Sequence, residues 1–200
     1  LSATEKFRPD TENANYSYAA IVSRYFDADY YVVAHSGMGI CRNYNDKFAD
    51  ILMPDRYLNT FDENREVKWD AKASEFKPAV TVILLGTNDF SVSKQPSLDS
   101  WKRNYTKLLK EIKDNYGEDH PILCTAAKGD NMLFEYVRLA VESCGLKNVW
   151  YMGYGQAIFG DSEYGSDWHP NYQAHRKISS SVIPYISTLT GWPLEDKPIK

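Results

Sequence analysis

Apolar positions along this 200-residue chain fall alternately into short unbroken runs and into faces at helical spacing. Residues 79–85 are apolar or β-branched with no polar alternation, the pattern of a strand covered on both faces of a parallel sheet. The run breaks at Gly86 and presents Thr87, Asn88 and Asp89. Residues 29–35, 121–126 and 146–152 read as further strands. Between them, Tyr18, Ile21, Val22 and Tyr25 mark one helical face, from a helix that starts near Asn13 and ends near Asp27. Pro96 and Ser97 open a second helix, Leu98, Trp101, Tyr105, Leu108, Leu109 and Ile112 give its apolar face, and Gly117 closes it. A third helix is predicted over 130–144 with Gly145 as its stop, and a last one from about Pro170 to Leu189 with Pro184 inside it. Residues 1–13 read as loop, and 40–78 as loop with a short helix over 46–52. The alternation predicts one α/β domain with a mostly parallel sheet, in which ligands bind at the carboxyl ends of the strands.

Composition narrows the partners. A net charge of −4 lacks the basic excess that nucleic acid or an anionic membrane would favour, and no apolar run approaches the roughly 18 residues of a membrane span. Fifteen Tyr and five Trp suit stacking on sugar rings, or equally an aromatic core. Cys41, Cys124 and Cys144 show neither CxxC pairing nor metal-ligand spacing, so they are expected to be free thiols, with the last two buried. No metal or cofactor is expected.

Three stretches carry candidate chemistry. In Asp167-Trp168-His169-Pro170 an imidazole stands beside a carboxylate ahead of a helix. A histidine titrates near neutrality and serves as a general base when a partner fixes its tautomer. Pro170 suits the first position of that helix, although an ordinary helix cap with an incidental histidine fits the same residues. In Gly86-Thr87-Asn88-Asp89 the Asn88 carboxamide could donate to an oxyanion, or make a plain turn. In Ser36-Gly37-Met38-Gly39, backbone N–H groups could add a second donor, or form a glycine turn.

Taken together and in this order, the three stretches resemble blocks two, three and five of the SGNH (GDSL-type) hydrolases. The closer similarity is to the acetyl-esterases of carbohydrate esterase family two, through His35-Ser36-Gly37-Met38-Gly39-Ile40-Cys41-Arg42-Asn43-Tyr44, the run 85–90 and the run 167–170. That resemblance implies a three-layer α/β/α fold with strand order 2-1-3-4-5. It makes His169 the general base and Asp167 its orienting partner, with a backbone carbonyl as the alternative. It makes Gly37 N–H and the Asn88 side chain two of three oxyanion donors, and Trp168 a residue beside the acetyl group or sugar. The implied substrate is an acetylated polysaccharide such as xylan or glucomannan, and the implied location is extracellular. Other SGNH lipases, thioesterases or arylesterases, and a non-catalytic carbohydrate- or partner-binding subunit, remain open.

One block of the pattern is absent. The strand ending in Gly-Asp-Ser, which supplies nucleophile and third oxyanion donor, is expected upstream of Leu1, as is the family's N-terminal β-sandwich. Gly160-Asp161-Ser162 repeats the letters but follows a glycine-rich loop and not a buried strand, so Ser162 is a secondary candidate and Ser36 a weaker one. The missing strand would lie between those at 29–35 and 79–85. An N-terminal segment of the same protein is therefore the expected partner.

Overall fold

A computed structural model describes residues 2–46, 51–61, 64–128, 132–155 and 160–200. The chain divides into two compact units, Val33–Gly153 and the pair Leu1–Val32 with Tyr154–Lys200.

In the unit Val33–Gly153, strands β1 (Thr81–Leu84), β2 (Ile122–Lys128) and β3 (Val149–Gly155) form a sheet in the order β1-β2-β3, with β3 running on into the other unit. β1 and β2 are parallel, Thr81 opposite Ile122 and Leu84 opposite Thr125. Helix α3 (Leu98–Tyr116) starts where the Ser97 hydroxyl accepts from Ser100 N–H, and ends at Gly117. Its buried face is the one read from the sequence: Trp101, Tyr105, Leu108, Leu109 and Ile112 pack with Ile83, Ile122 and Cys124 of the sheet and Leu133, Val137 and Ala140 of α4 (Met132–Ser143). The Trp101 indole N–H is satisfied by Tyr136 O at 3.0 Å, so the ring is buried without an orphan donor. Helix α2 (Met53–Arg56) is one short turn. The helix expected over 46–52 falls largely on 47–50, outside the described residues, as does the start of the one expected at Asp130.

In the other unit, α1 (Tyr18–Phe26) packs against α5 (Tyr172–Thr190). Ser17 caps α1, and Ala20, Ile21, Val22 and Tyr25 form its buried side. Helix α5 runs through Pro184 and starts two residues later than expected. Asn171 is its N-cap, accepting from Gln173 and Ala174 N–H, so Pro170 lies outside the helix and bridges Tyr164.

Two strand expectations need correction. Residues 29–35 form no strand and are not part of the sheet, and Tyr30, Tyr31 and Val32 are exposed. An extended segment becomes a strand only through a neighbour that takes its backbone groups, and none of the three strands pairs with it. Residues 146–148 precede β3 instead of opening it. A turn there, with Asn148 at φ 51°, is fixed when Asn148 O accepts from Ile122 N–H. Among the described residues, the three strands that form keep the expected 3-4-5 order.

The edge of this sheet holds an acid-sensitive group. His120 is buried beside the Tyr116 ring, its Nε2 hydrogen-bonded to Thr81 Oγ1 at 2.8 Å. Burial, and then the nearby Lys113 ammonium, push its pKa down to about 4. The folded state thus binds its proton at lower pH than the unfolded state, whose histidine titrates near about 6.5. The stabilisation is complete above that value and is lost as pH falls toward about 4. The Tm advantage of the native protein over His120→Gln is expected to shrink steadily between pH 7 and pH 4.5 in thermal melts. A constant difference would remove His120 as its source.

Candidate active site

Within Val33–Gly153, the strand end and the glycine turn are tied together. Gly86, at φ 121°, has no room for a side chain: a Cβ there would lie 2.4 Å from Leu133 Cδ1 and 2.7 Å from Trp101 Cη2. The backbone therefore turns tightly against the core after β1 and delivers a 3-10 turn, Thr87–Phe90, that carries Asn88 and Asp89. Asn88 Nδ2 donates to Met38 O at 2.8 Å. That bond fixes the carboxamide, while its second N–H and the Gly37 N–H have no acceptor among the described residues. The glycine turn is held from the other side by Tyr44 N–H on Gly37 O at 2.8 Å and by Gly39 N–H on Asn43 Oδ1 at 3.0 Å. Asn43 is itself buried and donates to Ile51 O.

Asp89, a plain turn residue by its local letters, is fully buried and accepts three backbone N–H groups from Ile40, Cys41 and Arg42. Burial raises its carboxyl above the usual carboxylate range, and the three amides offset that rise only in part. The local letters Asn-Asp give no hint of this role, since the donors lie 47 to 49 residues away.

In the other unit, His169 follows a 3-10 turn, Ser166–Trp168, and is itself exposed. Its Nδ1 lies 3.1 Å from Ser166 O and its N–H bonds the same carbonyl, so that oxygen accepts Nδ1–H and leaves Nε2 as the open acceptor. The carboxylate of Asp167 points elsewhere: Oδ2 accepts from Phe7 N–H at 2.8 Å and Oδ1 from Lys6 Nζ at 3.0 Å. These two donors hold its pKa below the ordinary carboxylate value. His169 Nδ1 thus contacts a backbone carbonyl and not the carboxylate of Asp167, whose side chain the turn directs to the N-terminal segment.

That turn is strained and tied down. Asp167 (φ 49°) and Trp168 (φ 63°) are both left-handed, a conformation that disfavours bulky residues and persists only where surroundings enforce it. Residues 2–7 do so: Asp167 N–H donates to Glu5 O, Trp168 N–H to Ala3 O, and Ser166 Oγ to Lys6 O. The sequence assigned these residues to loop and gave no sign of the clamp. Trp168 is 62% exposed and tilts against Tyr164, with ring centroids 5.9 Å apart, so it is available as a stacking surface and is not core.

Ser162 is exposed, on a 3-10 turn, Asp161–Glu163, and makes no hydrogen bond to His169 among the described residues. Ser36 is exposed at the start of the glycine turn. Cys41, Cys124 and Cys144 are free thiols; Cys124 is buried, Cys41 and Cys144 half-buried. No group of residues among those described has the make-up of a metal site.

A histidine with an open Nε2 and a fixed carboxamide beside a glycine turn are parts used in acyl transfer. Comparison with known proteins gives the class. The chain is 33% identical over 198 residues to the cellulase/esterase CelE of Acetivibrio thermocellus, covering 96% of this chain and 24% of that protein. It is 28% identical over 192 residues to an acetylxylan esterase/glucomannan deacetylase of Cellvibrio japonicus, covering 90% of this chain and 52% of that one. Among solved structures, a family two carbohydrate esterase from Clostridium thermocellum in complex with cellohexaose matches with a TM-score of 0.86 at 32% identity, over 96% of this chain and 59% of that chain. No family model matches the chain. The α/β fold, a parallel sheet flanked by helices, matches that of these family two carbohydrate esterases, and the chain resembles them over nearly its whole length, as expected from the sequence. It spans about half, or less, of the length of the relatives it matches.

Proposed function

We propose that this chain is part of a serine esterase that removes O-acetyl groups from plant cell-wall polysaccharides such as xylan and glucomannan, acting outside the cell. The observation that carries this reading is the Ser166 O contact to His169 Nδ1, which leaves Nε2 available as a base, in a chain whose relatives are named as deacetylases. A serine hydroxyl attacks the acetyl carbonyl and passes its proton to His169 Nε2. The oxyanion takes hydrogen bonds from Gly37 N–H and Asn88 Nδ2. Collapse releases the sugar hydroxyl, which takes the proton from the imidazolium and leaves an acetyl-serine ester. Water, deprotonated by the same imidazole, then frees acetate. Trp168 offers a face for the sugar ring.

The nucleophile in this reading comes from a Gly-Asp-Ser strand of the same protein that adds beside β1. β1 pairs only with β2 among the described residues and so stands at the edge of the sheet, where a strand's backbone can take a further partner.

A fluorophosphonate probe on the full-length protein, followed by peptide mass spectrometry, tests both parts. The expected label falls on a serine in a Gly-Asp-Ser peptide outside this sequence. A label on Ser162 or Ser36 would keep the esterase and overturn the strand insertion. No label on folded protein would favour a carbohydrate-binding role without turnover.

A further inference from the structure

Acyl transfer as assigned above uses Gly37 and Asn88 but gives Asp89 no task, although the Asp89 side chain accepts three backbone hydrogen bonds. Its Oδ1 accepts from Cys41 N–H at 2.6 Å and Arg42 N–H at 2.9 Å, and Oδ2 accepts from Ile40 N–H at 2.9 Å. The Arg42 guanidinium closes the loop by donating to Asp89 O. Three consecutive amides converge on one carboxylate with no solvent access.

The fit leaves no slack. A Cβ on Gly39 would stand 2.0 Å from Arg42 O and 2.5 Å from Asp89 Oδ2, so only glycine lets the chain curl around the carboxylate. Such bonds to an ionised acceptor are short and about twice as strong as neutral ones. They also resist partial release, because a carboxylate that let go would leave one buried and two part-buried amides unsatisfied. Position along the chain gives the arrangement its meaning. Asp89 follows Asn88 directly, and its three donors begin three residues after Gly37. One buried charge therefore joins the backbone of one oxyanion donor to the backbone of the other, and the Asn88 Nδ2 bond to Met38 O completes the ring.

We propose that Asp89 is a positioning residue for oxyanion stabilisation, its buried carboxylate setting the spacing between the Gly37 N–H and the Asn88 carboxamide. The proposal rests on the reading that those two groups are the donors. Stabilisation by fixed donors depends on their being in place before charge develops, and a displacement of about 1 Å costs on the order of 10²-fold. Asp89→Asn keeps the shape but turns an N–H₂ toward an amide that needs an acceptor. Asp89→Glu keeps the charge and moves it by one methylene, while Gly39→Ala disturbs the same loop from outside the carboxylate.

The test measures p-nitrophenyl acetate hydrolysis and thermal melting for these three variants and for Asn88→Ala, all in the full-length protein. The expected result is that any of the three that melts cooperatively loses about 10- to 100-fold in kcat, with KM changed less than about two-fold. If Asn88→Ala keeps full kcat, the underlying assignment of donors fails, whatever Asp89 does. If Asn88→Ala is impaired while a folded Asp89 variant keeps native kcat, or loses activity through KM alone, the positioning role is overturned. Failure of all three to fold would also overturn it, since the carboxylate would then serve the fold and not the donors.

Discussion

Replacing His169 by Ala in the full-length enzyme is expected to lower kcat for acetyl-ester hydrolysis by about 10²- to 10⁴-fold with little change in KM, the range for loss of a general base. The more discriminating variant is Asp167→Asn. Where a carboxylate fixes the tautomer of a catalytic histidine, the Asp→Asn change costs about 10⁴ in kcat. Here Ser166 O accepts Nδ1–H, and the Asp167 carboxylate is occupied by Phe7 N–H and Lys6 Nζ. Asparagine tolerates the left-handed backbone at position 167 and still offers Phe7 an acceptor. Asp167→Asn is therefore expected to stay within about ten-fold of native kcat, far above His169→Ala. Steady-state kinetics on the pair decides the matter: equal losses would return the orienting role to the carboxylate.

The second large effect is expected at Asn88. Its side chain is fixed by Met38 O and keeps one N–H with no acceptor among the described residues, so Asn88→Ala removes a donor whose orientation is already set. Loss of one such donor typically costs about 10²- to 10³-fold in kcat, and because the bond strengthens only as negative charge appears, KM should hardly move. Met38 O loses its partner too, at a cost of about 1 kcal/mol in stability, which a thermal melt will register separately. A variant that lost activity through KM with kcat intact would place Asn88 in ground-state binding.

Much of this was legible in the chain itself. The helical faces of α1 and α3 were read correctly because burial on one side leaves a periodic trace, and the strand before Gly86 because burial on both sides leaves an unbroken one. Residues 29–35 carry the same strand-like letters yet are not in the sheet, since pairing depends on a neighbour and not on the segment. Asp89 and residues 2–7 left no trace. Asp89 acts on amides more than forty positions away, and residues 2–7 act on the Ser166–Trp168 turn mainly through peptide groups that every residue type but proline shares. The Ser166 carbonyl was foreseen only as an alternative, for the same reason: side-chain letters do not say where a backbone oxygen points.

The clamp on the Ser166–Trp168 turn has an evolutionary consequence. Ala3 and Glu5 hold it through their carbonyls and Phe7 through its N–H, so side-chain identity at these three positions is nearly decoupled from the hold on the histidine. Substitutions there can accumulate by neutral drift while chain length and path stay under selection. A deletion of one residue in this stretch would shift every carbonyl out of register, and insertions and deletions, more than substitutions, are the changes that lineages carrying this turn and its histidine should avoid.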